Sequence, residues 1–70
     1  MMPLTFAQES EEKEILSLGG KPEVRQHLAD MGFNVGSKIQ VLTKSGENVI
    51  VKIKGTRIAL SKELANKIMV

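Results

Sequence analysis

The 70-residue chain has no cysteine, no tryptophan and no tyrosine, and only one histidine, His27. Without cysteine there is neither a disulfide nor a thiolate metal site. A single histidine also leaves too few ligands for a structural zinc centre, so a domain of this size must be held by packing. The aromatics are Phe6 and Phe33 alone. That argues against a base-stacking platform for single-stranded nucleic acid and against a polyproline-binding groove, both of which are lined by aromatic rings. No apolar run approaches the roughly 20 residues needed to span a bilayer. The Met-Met-Pro start resembles no signal peptide, so a cytoplasmic location is expected. No nucleophile can be joined to a base: His27 stands alone, and Ser10, Ser17, Ser37, Ser45 and Ser61 fall in turns or polar segments. An enzyme is not expected, and no cofactor either.

What is present suits one small domain over residues 1–70. Apolar residues make up 41% of the chain and charged residues 26%, an ordinary globular balance. The formal net charge of +2 is unevenly spread. Residues 1–35 carry three basic and six acidic side chains, whereas residues 36–70 carry seven and two. The basic half raises a second functional reading, a small barrel that binds RNA or the ribosome.

Periodicity predicts mainly β structure with short helices. Glu12–Leu18 reads as a first strand stopped by Gly19-Gly20, and Leu4 and Phe6 before it as an extended arm. Pro22 to Met31 reads as a helix, with Pro22 in its first turn, Val24, Leu28 and Met31 forming one apolar stripe, and Gly32 where a left-handed residue ends the helix. Lys38–Val41, Val49–Ile53 and Arg57–Leu60 alternate with period two, and Ser45-Gly46 and Gly55 supply the turns. Ser61 is a plausible N-cap for one helical turn, followed by a last strand at Lys67–Val70. Short strands with a helix inserted after the first suit a small barrel, with Val49, Val51, Ile53, Ile58, Leu60 and Ile68 inside.

The run His27-Leu28-Ala29-Asp30-Met31-Gly32-Phe33-Asn34-Val35-Gly36-Ser37-Lys38-Ile39 resembles the signature of the FeoA family, bacterial accessory proteins of ferrous-iron uptake. In that signature a helix ends in leucine, two residues, an apolar residue and glycine, with a second glycine four residues on. Val49 to Leu60, followed by Ser61, Glu63, Ala65, Ile68 and Val70, is similar to the other hallmark of the family. Pro3-Leu4 and Ile15 with Gly19-Gly20 also fit, so the resemblance covers the whole chain. The departures are His27, where the family commonly has arginine, and Val35, where it often has proline. The resemblance implies an SH3-like barrel that assists FeoB, a ferrous-iron permease with a cytoplasmic GTP-binding domain. It would work in the cytoplasm, peripheral to the inner face of the membrane through that partner, without entering the membrane.

Three sets of residues are candidates for a site. Glu23, His27 and Asp30 at i, i+4 and i+7 on the helix could bring ligands to one metal, though such residues more commonly form a solvated face. Met31 and Phe33 at the helix end could anchor a protein partner, or be core, with Met31 completing the helix stripe and Phe33 covering the barrel mouth. Lys52, Lys54 and Arg57, with Lys38, should point outward and could form a basic contact patch, or simply keep the strands soluble. Gly19-Gly20-Lys21 lacks the spacing of a phosphate-binding loop and reads as a strand-to-helix turn.

Overall fold

A computed structural model describes all residues from Met1 to Val70. Its elements are a 3-10 turn at Leu4–Phe6, β1 (Glu12–Glu14), β2 (Ser17–Leu18), α1 (Pro22–Asp30), β3 (Lys38–Ser45), β4 (Asn48–Ile53), β5 (Thr56–Ser61), α2 (Lys62–Ala65) and β6 (Ile68–Met69). The fold is mainly β with short helices. It comprises a four-stranded antiparallel sheet in the order β1-β3-β4-β5 and a two-stranded ladder of β2 with β6. The two ladders enclose one core but are not hydrogen-bonded into a single closed sheet.

The segment expected as one first strand divides in two, and Ile15 is the pivot. Its N–H donates to the Ser37 carbonyl at 2.9 Å and its carbonyl accepts from Gly36 N–H at 2.8 Å. One residue later, Leu16 N–H donates to the Met69 carbonyl at 2.8 Å, so the chain has left the larger sheet for the smaller. Adjacent apolar residues cannot both face inward on an extended chain. Ile15 is buried completely and Leu16 is turned out. The helix therefore follows β2. The expected extended arm is also only partly extended: Leu4 is buried in the 3-10 turn and Phe6 is exposed.

Helix α1 starts at Pro22, with Glu23 in its first turn, and buries Leu28, while Val24 and Met31 pack half-buried against the core. Its end is a Schellman motif. Gly32, at φ 101°, gives its N–H to the Ala29 carbonyl at 2.9 Å, and Phe33 gives its own to the Leu28 carbonyl at 2.9 Å. This hydrogen-bond pair turns the chain so that Phe33 returns to the core, where both it and Leu28 are fully buried.

Strands β3, β4 and β5 form two hairpins with two-residue turns, Gly46-Glu47 and Lys54-Gly55. A bulge at Leu42 shifts the register of β3 against β4, so that Val41 pairs with Val51 and Thr43 with Ile50. The alternation buries Ile39, Val41, Val49, Val51, Ile53 and Leu60. Ile58, also expected inside, is half-buried against that cluster. Ser61 caps α2 by accepting from Leu64 N–H at 3.2 Å, and β6 brings in Ile68. Met2 and Val70 exchange two backbone hydrogen bonds, each 2.8 Å, so the N-terminal residues cover the outer edge of β6.

Candidate protein-docking groove

The surface has an open groove of about 550 Å³ between α1, β2 and the turn that leads into β3. Its floor and walls are Leu16, Ser17 and Leu18 from the smaller ladder, Pro22, Arg25, Gln26 and Ala29 from α1, and Val35 from the turn. The local folding already described accounts for its character. Because Ile15 takes the core position, Leu16 is left 49% exposed. In the turn that follows the buried Phe33, Val35 is 64% exposed. The hydrogen bond from Gly36 N–H to the Ile15 carbonyl fastens the turn carrying Val35 to the corner carrying Leu16. Both large apolar side chains thus stand at one groove, held by backbone.

The polar part of the groove is spare. Gln26 Nε2 donates to Asp30 Oδ1 at 2.8 Å along α1. Arg25 is exposed and belongs to neither of the two ion pairs in the molecule, Lys13–Glu11 and Lys38–Glu14. No buried residue is polar or charged. An open apolar trough with one unpaired guanidinium at its wall can seat a partner's aliphatic side chain and accept a nearby carboxylate.

The residues singled out from the sequence fall in other places. Phe33, read either as a surface anchor or as core cover, is fully buried with Leu28 in the core, which overturns the anchor reading and keeps the other. Met31 is half-buried and completes the helix stripe. Glu23, His27 and Asp30 are all exposed on α1. No three histidine, aspartate or glutamate side chains anywhere in the molecule approach closely enough to share a metal ion. Lys52, Lys54 and Arg57 are exposed on the β4–β5 hairpin, outside the groove.

Leu16 and Arg25 were not singled out from the sequence, and Val35 was noted only as a departure from the family signature. A signal for two of them was there: Ile15-Leu16 breaks the period-two alternation, so one of the pair must face solvent, and Val35 is an apolar residue inside a polar turn.

The family model described as the FeoA domain matches residues 2–70. A curated relative from Methanocaldococcus jannaschii, named "Putative Fe(2+) transport protein A", is 41% identical over 70 residues, covering all of this chain and 85% of its own. Among solved structures, the crystal structure of an iron uptake regulatory protein, FeoA, superposes with a TM-score of 0.87 at 31% identity, over 96% of this chain and 89% of that one. FeoA of Stenotrophomonas maltophilia, solved with zinc and described as a prokaryotic SH3 domain protein, superposes with a TM-score of 0.85 over 99% of this chain and 88% of its own. At 21% identity that last likeness speaks for the fold alone, and it is the SH3-like one. With a family model spanning nearly its whole length and a relative above two-fifths identity, this chain belongs to the FeoA family.

Proposed function

We propose that this chain is an accessory protein of ferrous-iron uptake, acting at the inner face of the membrane by docking on the cytoplasmic GTP-binding region of a FeoB-type permease. The observation that carries this reading is the Leu16–Val35 groove, joined to membership of the FeoA family and to a relative named for Fe(2+) transport. What the groove offers is recognition, through the exposed Leu16 and Val35 beside the unpaired Arg25. A partner side chain seated between Leu16 and Val35 would bury apolar surface worth about 25 cal/mol per Å². Arg25 would fix the register by taking a carboxylate.

The test uses the full chain with Leu16→Ser and Val35→Ser together. Both side chains are surface-exposed, so the variant should keep its circular dichroism and its urea midpoint. It should lose co-purification with the permease from solubilised membranes, and should fail to restore ferrous uptake in a strain lacking the native gene. Full restoration of uptake by the folded double variant would remove the groove from the proposal. An uptake rate that does not change on deletion of the whole gene would remove the function.

A further inference from the structure

The four-stranded sheet has two edges, and they are treated differently. The β1 edge is three residues long and carries Glu12 and Glu14. Beyond it the rest of β3 is covered, because Ser10 N–H donates to the Val41 carbonyl at 2.6 Å and Glu9 Oε2 accepts from Lys44 N–H at 3.0 Å. The β5 edge is six residues long, pairs with β4 in unbroken register and has no strand beyond it. The two-residue turn fixes which of its backbone groups are free. Ile53–Thr56 closes the hairpin, so hydrogen-bonded pairs fall at Ile53–Thr56, Val51–Ile58 and Val49–Leu60. Arg57 and Ala59 then direct their N–H and carbonyl groups away from β4. Both residues are exposed, and neither has a backbone hydrogen bond to turns, loops or caps.

The charges beside this edge are uncompensated. Lys52 and Arg57 are directly opposed across the β4–β5 pair, an arrangement that repels. Lys54 joins them at the hairpin turn, and none of the three takes part in an ion pair. The turn itself is unusual for its residue. Lys54 sits at φ 51° and Gly55 at φ 78°, a pair of positive values for which asparagine-glycine is the favoured sequence. The chain keeps a lysine where an asparagine would fit the backbone better.

From the open edge and its unpaired cations together we infer that β5 is a second docking site, which takes an extended acidic segment of another protein as an added strand. The backbone of Arg57 and Ala59 supplies the ladder, and Lys52, Lys54 and Arg57 receive the carboxylates of alternate residues on the same face. The same cations disfavour a second copy, since β5 against β5 would gather six of them around one axis. This site is separate from the groove and stands or falls independently of it.

The experiment is an NMR titration of the full protein with a short peptide of alternating glutamate and valine, with the lysine-valine peptide and oligouridylate as comparisons. The expected result is that the acidic peptide slows amide exchange at Arg57 and Ala59, and that Ala59→Pro weakens its binding about tenfold, or about 1.4 kcal/mol. If Ala59→Pro does not fold, Lys52→Glu with Arg57→Glu carries the test, and must lose the acidic peptide and gain the basic one. Failure of that exchange of preference overturns the proposal. So does acidic-peptide binding that Ala59→Pro leaves intact, or oligouridylate binding more tightly than the peptide, which would make the patch a nucleic-acid contact. Protection of the same amides by self-association, seen as a concentration-dependent mass in sedimentation, overturns it in favour of a second copy.

Discussion

Lys54 occupies a backbone region that costs a residue with a Cβ roughly 1 kcal/mol and asparagine less. Lys54→Asn should therefore raise stability by about 0.5–1 kcal/mol in urea denaturation while removing one cation from the β5 edge. Phe33 and Val35, two positions apart, should respond in opposite ways. Phe33→Ala empties a fully buried site and should cost about 3–5 kcal/mol, much of the stability of a domain this small. Val35→Ala, at an exposed site, should stay within about 0.5 kcal/mol. Denaturation midpoints of the two variants check both statements. The burial of Phe33 was legible in principle: once Gly32 is placed just past the helix end, the next residue is the one that packs back on the helix, here on Leu28. Exposure of Val35 was hinted at by its place in a polar turn, but its meeting with Leu16 follows from geometry that only the folded turn supplies.

Among the elements, α1, the two hairpins and α2 follow from local signals, because each is bounded by a residue with a specific backbone role. Pro22, Gly32, Gly46, Gly55 and Ser61 all stand where those signals place them. The division of β1 from β2 was not legible in the same way, since it depends on Ser37 and Met69, partners far away in sequence. Gly20 shows how tightly the following connection is made. Its φ is 92°, and a Cβ there would lie 3.3 Å from Val24 Cγ1. Gly20→Ala should thus destabilise by about 1 kcal/mol or more, from backbone strain and from pressure on the helix stripe, as a lowered melting temperature would record. Ser61→Ala removes the single side-chain cap of α2, and about 1 kcal/mol is the expected loss, with the slope of the urea transition unchanged.

At the scale of the whole molecule, the sequence carries the core well and the groove poorly. Core positions announce themselves by periodicity, whereas the groove is assembled from β2, α1 and a turn, none of which is distinctive alone. The same dependence on distant parts makes the last strand indispensable. Truncation after Lys67 removes Ile68 and Val70 from the core and leaves β2 and Met2 without partners. The truncated chain should show no cooperative thermal transition, and a sharp melt near that of the intact protein would contradict the assigned role of β6.

The reciprocal hydrogen bonds between Met2 and Val70 also decide how the molecule meets a mechanical load. The two segments run antiparallel with Met2 directly facing Val70, so tension applied through these residues pulls along the bonds of the ladder and opens them one after another. The load peels where a shear geometry would have strained every bond at once. Held between an anchored partner and a second tether, the fold should yield at low force, opening first at β6 and releasing Leu16 from Met69. Optical-tweezer traces with handles at positions 2 and 70 should show early, reversible opening, and a higher rupture force when the handles are moved to Glu12 and Lys38, the far ends of the paired β1 and β3, where the pull shears the ladder.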